Sequence, residues 1–132
     1  MKLLTRDTDY AVRALTSIAG SKDVMFTVSD LAEKLDIPRP FLRKILQILN
    51  KRGLLKSYKG KGGGFSLVVD PNKINIFALI ETFQGPFTLC EHVFKGKTCP
   101  NIKTCYLKDK LDDIEESLVK SLRSITVKSM VR

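Results

Sequence analysis

Residues 27–65 have the sequence TVSDLAEKLDIPRPFLRKILQILNKRGLLKSYKGKGGGF, and this stretch decides the fold. Its first four residues, 27–30, have the form of a helix-capping box and predict a short helix that extends to Leu35. Pro38 and Pro40 then stand where a second helix begins, because proline is tolerated in a first helical turn. Two helices of this size joined by a tight turn form a helix-turn-helix.

The second helix leads directly into a glycine-rich segment. We expect this helix to run to about Arg52, with Gly53 ending it. Residues 54–58 and 65–69 predict two strands, and residues 59–64 predict the basic loop between them. A helix-turn-helix followed by such a hairpin is the winged-helix arrangement. The side chains predicted to face inward from the second helix are Phe41, Ile45, Leu46, Ile48 and Leu49.

The segments on both sides of this stretch predict further helices. Residues 7–20 show an amphipathic helical pattern with an acidic first turn and a glycine stop, and residues 75–83 predict one more short helix. Residues 107–122 predict a long helix, and Thr126 is expected to cap a last short turn. The expected fold class is mainly α with a small β-wing: a winged helix-turn-helix domain plus a long C-terminal dimerisation helix.

The long helix carries a narrow apolar seam in which residues recur every three or four positions. A seam this narrow suits pairing with a second long helix. The alternative is that the helix folds back onto the core of its own chain. The seam consists of Leu107, Leu111, Ile114, Leu118, Leu122 and Ile125.

Length and composition indicate one globular domain, with 132 residues of which 43% are hydrophobic and 28% charged. We divide it into a DNA-binding winged helix-turn-helix part (1–85), a cysteine-containing loop (86–106) and a dimerisation helix with a terminal turn (107–132). The longest apolar run, residues 76–80, is far below the ~20 residues of a membrane span. Residues 1–6 leave no room for a secretory signal, so we expect a cytoplasmic protein without a membrane partner.

The net charge of +9 is concentrated in one short stretch. Residues 39–61 contain eight basic side chains and no acidic one. Residues 1–38 contain five basic and six acidic groups, and residues 62–132 contain ten and eight. Such a concentration is typical of a nucleic-acid footprint, although runs of cations also occur on ordinary solvated faces.

A helix-turn-helix recognises DNA with the exposed face of its second helix. Here Arg39, Arg43 and Lys44 take the early outward positions, and arginine is well shaped for bidentate contact with guanine. Cations farther along the helix and in the wing suit phosphates, and the glycines let the wing backbone approach a groove. The predicted DNA-binding residues are Arg39, Pro40, Arg43, Lys44, Lys51, Arg52, Lys56, Lys59, Gly60 and Lys61.

Three cysteines, Cys90, Cys99 and Cys105, follow the spacing C-x8-C-x5-C. Their odd number argues against a disulfide framework, and the closely spaced pairs of a zinc site are missing. The wider spacing suits the thiolates of an iron–sulfur cluster, which leaves one iron position for another ligand. His92 lies in the same loop, where an exposed histidine without a ligand role is the alternative. Redox sensing by the thiols themselves is a second interpretation.

Four features together resemble the Rrf-two family of bacterial winged-helix regulators. They are residues 8–15 (TDYAVRAL), residues 53–57 (GLLKS), residues 60–65 (GKGGGF) and the three-cysteine loop. The resemblance covers essentially the whole chain. It implies a homodimer packed through the long helix and an iron–sulfur cluster, 2Fe-2S or 4Fe-4S, held beside it by the three cysteines.

The resemblance also implies a fourth ligand. IscR-like members use a histidine three residues after the last cysteine, and Lys108 holds that position here. NsrR-like members use an aspartate near the start of the first helix, in a Thr-Asp context that Asp9 matches. The gap between the first two cysteines is longer than the family usually shows. Residues 43–44 are Arg-Lys where recognition helices of the family often carry Glu-Gln, so we expect a different operator.

The first functional hypothesis is a sequence-specific DNA-binding transcriptional regulator that acts as a repressor. It would bind an approximate palindrome as a homodimer, with its DNA affinity controlled by an iron–sulfur cluster that senses nitric oxide, redox state or iron status. The alternatives are a cluster-free regulator whose thiols sense oxidants, and an iron–sulfur electron-transfer protein, which the block of cations disfavours. Since the sequence shows no acid–base or nucleophile constellation, we expect no enzyme.

Overall fold

The computed structural model describes residues 2–21, 25–89, 93–94, 97–98, 100–101 and 103–131. It is mainly helical with a two-stranded antiparallel wing, and this confirms the predicted winged-helix class. The helices are α1 (Arg6–Gly20), α2 (Val28–Leu35), α3 (Arg39–Lys51), α4 (Ile76–Gln84), α5 (Tyr106–Ser124) and α6 (Val127–Met130). The strands are β1 (Leu55–Tyr58), β2 (Gly64–Leu67), β3 (Val93–Phe94) and β4 (Lys97–Thr98), and a 3-10 turn covers Pro71–Lys73.

Four of the described helices, α1, α2, α4 and α6, begin at a side chain that caps the first turn. Thr27 caps α2 by accepting a hydrogen bond from the backbone N–H of Asp30 at 3.1 Å, which confirms the predicted cap, while the second bond of a capping box is not among the described hydrogen bonds of this helix. Asn75 caps α4 in the same way, through the N–H of Ala78 at 2.8 Å. The last helix, α6, begins after Thr126, as predicted. Each accepting oxygen satisfies an N–H group that the helix itself leaves unpaired.

The core lies between α1, α3 and α4, and α2 and α6 close its sides. The buried side chains of α3 are Leu42, Ile45, Leu46 and Leu49. The inward prediction was wrong for Phe41, whose side chain is 40% exposed, and Ile48 is only partly buried. Leu42 takes the core position because it lies three residues before Ile45 and seven before Leu49, on the same side of the helix.

The wing is an antiparallel hairpin in which Leu55 of β1 pairs with Leu67 and Tyr58 pairs with Gly64. A bridge to the segment before α2 fixes its position. Phe26 and Phe65 exchange two backbone hydrogen bonds, of 2.8 and 2.7 Å. Because the chain passes so close to Phe26 at this point, the start of β2 has no space for a side chain. The wing is therefore held against the helix-turn-helix by backbone contacts.

We expect Gly64→Ala to lower the free energy of unfolding by about 3 kcal/mol. A Cβ atom at this position would lie 2.2 Å from the carbonyl oxygen of Phe26, so β2 would have to shift away from its bridge. Gly62→Ala is the matched control: its φ is +75°, nothing lies within 4 Å of the added atom, and only the backbone cost of about 1 kcal/mol applies. Urea denaturation of both variants measures the difference. Equal losses would contradict the steric argument.

The long helix α5 divides into two halves with different surroundings. Near its C-terminus, Leu122 is buried, and Leu118 packs partly against the core. The chain after α5 is joined to the start of α4 by hydrogen bonds from Ile76 N–H to the Ile125 carbonyl (2.9 Å) and from Val127 N–H to the Ile74 carbonyl (2.8 Å). This half folds back onto its own chain, as one of the two interpretations of the seam proposed.

The N-terminal half of α5 has an exposed apolar surface. Leu107 is 65% exposed and Ile114 is 55% exposed, although both belong to the predicted seam. Tyr106, beside them at the helix start, is 84% exposed. Because the single chain covers only part of the seam, these side chains are available to a partner.

No helix in the described part of the chain is both long and apolar enough to cross a membrane.

Candidate DNA interface and cysteine site

The outer face of α3 carries the first group of predicted DNA-binding residues. Arg39, Arg43 and Lys44 are all exposed on its first two turns, and Pro40 is exposed beside them. The buried leucines and isoleucine of α3 hold this face outward, away from α1 and α2. Its guanidinium and ammonium groups are therefore free to meet base edges or phosphates in a groove.

The second group of predicted residues continues from the end of α3 into the wing. Lys51 and Arg52 are exposed where the helix ends, and Lys56 is exposed on β1. Lys59, Gly60 and Lys61 are exposed in the turn of the hairpin. The structure thus presents all ten predicted residues to solvent along α3 and the wing.

No described acidic side chain neutralises the eight cations of residues 39–61. None of them forms an ion pair with an acidic side chain among the residues that the structure describes. The Lys56 ammonium lies 5.3 Å from the centre of the Tyr58 ring, a contact that leaves its charge in place. Unpaired cations on one surface create a positive field that attracts a polyanion.

Two exposed residues near this surface were not predicted from the sequence. Gln47 lies one helical turn after Arg43 on α3, and its amide can both donate to and accept from adenine. The spacing from Arg43 was a signal that could have revealed it. Arg6 belongs to α1, and its guanidinium carbon lies 4.3 Å from the centre of the Phe41 ring. No local pattern connects α1 with α3, so only the structure places Arg6 there.

A hydrogen-bond network fixes the start of α1 against the end of α4. Gln84 accepts from the backbone N–H of Thr5 (3.0 Å) and from the hydroxyl of Thr8 (2.7 Å) through one oxygen, Oε1. Its amide nitrogen donates to the carbonyl of Leu3 at 3.1 Å. Thr8 is fully buried. The first turn of α1 therefore has a fixed position beside the chain that leads into the cysteine loop.

Asp9 lies on this fixed first turn, with its side chain 42% exposed. Its carboxylate pairs with the guanidinium of Arg13, one turn later on the helix, at 3.0 Å. The ion pair limits the orientations of the carboxylate and leaves part of it open to solvent. An acidic group in the first turn is also favoured by the helix dipole, whatever else it does.

Of the predicted cysteine ligands, only Cys105 lies within the described residues. It is a free, partly exposed thiol at the N-cap of α5. Cys90, Cys99 and the alternative ligand His92 lie outside the described residues. Among the residues with described positions, no three His, Cys, Asp or Glu side chains form a group that could hold a metal ion.

Lys108, three residues after Cys105, is engaged within its own helix. Its ammonium donates a hydrogen bond to the carboxylate of Asp112, one turn later on α5. This hydrogen bond raises the pKa of Lys108 above its ordinary value. A protonated lysine offers no lone pair to a metal, and the hydrogen bond to Asp112 favours this protonated form of Lys108.

Comparisons with known proteins agree with this arrangement. The chain matches the model of the Rrf2 (Rrf-two) family, described as "Iron-dependent Transcriptional regulator", over residues 4–132. The HTH-type transcriptional regulator NsrR of Halalkalibacterium halodurans is 31% identical over 130 residues, which cover 97% of this chain and 89% of that protein.

Two solved structures share the fold across almost the whole chain. CymR, the global cysteine regulator of B. subtilis, has a TM-score of 0.77 at 20% identity, covering 98% of this chain and 96% of its own. IscR of T. potens has a TM-score of 0.74 at 24% identity, covering 98% and 85%. The relatives are transcriptional regulators and not enzymes, which agrees with the sequence prediction. The family match spans all but the first three residues, and the chain therefore belongs to the Rrf2 family of transcriptional regulators.

Proposed function

We propose that this protein is a cytoplasmic, homodimeric transcriptional repressor that binds an approximate palindrome in double-stranded DNA. An iron–sulfur cluster would control its affinity for that DNA. The observation that carries the proposal is the surface of α3 and the wing, where eight cations lie together without an ion pair to any described acidic side chain. The positive charge of this surface and the fold both favour DNA as the ligand, because α3 takes the position of the recognition helix in a winged helix-turn-helix.

The cations divide into two roles according to their position. Arg39, Arg43 and Lys44 lie early on α3, so they suit contacts to base edges when the helix enters the major groove. Lys51, Arg52 and Lys56 lie farther from the helix start and suit phosphates, as do the two wing lysines. Base contacts would give specificity, and phosphate contacts would fix the register.

We expect Arg43→Ala to weaken binding to the operator by about 1–3 kcal/mol and to weaken binding to scrambled DNA much less. The reason is that bidentate contact with guanine is lost only where the right base is present. Fluorescence anisotropy with a selected duplex and a scrambled duplex measures both losses. Lys59→Ala is the control, because a phosphate contact should weaken both complexes alike. Equal losses for Arg43→Ala would make Arg43 a phosphate contact instead.

The proposed cluster ligands are Cys90, Cys99, Cys105 and Asp9. The two that the structure describes fit such a role: Cys105 is a free thiol with partial exposure, and Asp9 has an oriented and partly exposed carboxylate. The description of the family as iron-dependent supports an iron-containing group. When bound, the cluster would supply an iron position held by a hard carboxylate among soft thiolates, where a small molecule can exchange.

The cluster-free alternative keeps the same DNA surface and changes only the sensor. CymR, which has the same fold, is described as a global cysteine regulator, and this supports testing a sensor other than a cluster. Purification without oxygen followed by iron and sulfide analysis separates the two candidates. A coloured protein with stoichiometric iron and sulfide supports the cluster. A colourless protein whose DNA binding changes on thiol oxidation would establish the alternative.

A further inference from the structure

Arg6 is a cation outside the basic stretch, yet it lies against the recognition helix. Its guanidinium carbon is 4.3 Å from the centre of the Phe41 ring and 6.0 Å from the centre of the Tyr10 ring. Phe41 occupies the first turn of α3 and is 40% exposed, and the Arg6 side chain is 58% exposed. The stacked pair therefore forms a surface at the N-terminus of α3.

Stacking leaves the hydrogen-bonding edge of Arg6 free. A guanidinium is planar, and all five of its N–H groups point outward in that plane, so a ring on one face blocks none of them. Its Nε forms an exposed ion pair with the carboxylate of Asp7 at 3.6 Å, which is longer than a hydrogen bond and leaves the terminal N–H groups open. No other described residue takes a hydrogen bond or forms an ion pair with Arg6.

The position of Phe41 decides what this edge can meet. Phe41 and Lys44 are three residues apart and so lie on the same side of α3. Arg39 and Arg43 lie on the other flank of the exposed face of α3, so with this face in a major groove the flank of Phe41 would be directed toward the sugar–phosphate backbone. Arg6 lies against the Phe41 ring and so extends this flank of the helix.

The start of α1 gives Arg6 a fixed base. Thr5 is bound through its N–H to Gln84 and caps the helix that begins at Arg6. A guanidinium that is both anchored and stacked loses little conformational freedom when it binds, so more of the contact energy contributes to affinity.

We propose that Arg6, stacked on Phe41, binds a DNA phosphate and thereby positions the N-terminus of the recognition helix. The inference rests on the proposed function, since it needs α3 to bind DNA. It adds a phosphate contact from α1 that the charge distribution of the sequence does not reveal.

The test compares Arg6→Gln with Arg123→Gln. Arg123 is the matched control, because its guanidinium also stacks on a ring, that of Phe77 at 4.7 Å, but it belongs to α5, which packs on α4. Protein purified without oxygen is titrated with a duplex that the wild type selects from a randomised library, and with a scrambled duplex. Association constants are measured at about 50 to 300 mM KCl, because over this range the salt dependence caused by counterion release can be resolved.

Arg6→Gln should reduce the slope of log K against log salt by about 1 for each bound protomer, and weaken both duplexes about five- to tenfold at 100 mM salt. Arg6→Lys should restore most of the slope, and Phe41→Leu should weaken binding with the slope kept. Arg123→Gln should leave the slope unchanged. A wild-type slope for folded Arg6→Gln would overturn the proposal, even if its melting temperature falls. A wild type that binds neither duplex would overturn the proposed function itself.

Discussion

Ile114→Glu is expected to convert the protein into a folded monomer, with the dimer dissociation constant raised by about a thousandfold. In the single chain Ile114 is 55% exposed, so the substitution removes little from the protomer's own core. In a dimer packed through α5, the same position would be covered by the partner. Each protomer would then bury an unpaired carboxylate, which costs several kcal/mol.

The control is Lys120→Glu, on the opposite side of α5, where the side chain is exposed. It changes the charge by one unit more than Ile114→Glu and should leave the dimer intact. Sedimentation velocity at micromolar protein measures the oligomeric state, and circular dichroism confirms folding. An intact dimer of folded Ile114→Glu would show that the subunits associate through another surface. Leu118→Glu is less informative, because Leu118 also packs against the protomer's own core.

The oligomeric state also decides how DNA is bound. A two-fold dimer presents two recognition helices, and two half-sites in B-form DNA lie about 34–36 Å apart. A monomeric variant therefore keeps the contacts of one half-site and loses the other. We expect its affinity for the palindrome to fall to nearly that for a single half-site.

Local chemistry explains why much of this fold could be predicted from the sequence. The cap at Thr27 depends on residues three apart, and the wing depends on glycines that border two short apolar runs. These signals need no knowledge of distant parts of the chain. The cations of residues 39–61 are likewise identifiable, because they are clustered in the sequence, and α3 and the wing both expose them.

Contacts between distant elements could not be predicted in the same way. Phe41 was assigned to the core by its apolar ring, but Leu42 has the correct helical position, and Arg6 from α1 covers the ring. The apolar seam of α5 is compatible both with pairing to a second helix and with folding back onto its own core, because the spacing of apolar residues does not show which surface they contact. In the structure Leu122 meets its own core, whereas Leu107 is exposed.

The first two turns of α1 connect the two candidate sites. Arg6 lies against the recognition helix, and Asp9, three residues later, is the proposed cluster ligand. Between them, Thr8 is buried and hydrogen-bonded to Gln84 at the end of α4. A rigid helical turn thus carries both groups, so a change in the surroundings of Asp9 has a short path to α3.

Substitution of a thiolate ligand should impair iron binding more strongly than substitution of the carboxylate ligand. Cys105→Ala is expected to abolish iron binding in anaerobic preparations, because soft thiolates supply most of the cluster's affinity. Asp9→Ala should keep three thiolates and bind iron, but with faster iron loss and changed Mössbauer parameters. Both variants should remain folded, since neither side chain belongs to the buried core.

The control for Asp9→Ala is Asp7→Ala, which removes another carboxylate from the same first turn. Both substitutions lose a favourable helix-dipole interaction of about 0.3–1 kcal/mol and one exposed ion pair, with Arg6 or with Arg13, so their melting temperatures should fall by similar small amounts. Only Asp9→Ala should alter the iron spectrum and the rate of iron loss, because Asp7 is directed toward Arg6 instead. Identical spectra and iron retention in wild type, Asp7→Ala and Asp9→Ala would show that Asp9 is only a helix-start residue paired with Arg13. The fourth ligand would then have to come from another group such as His92.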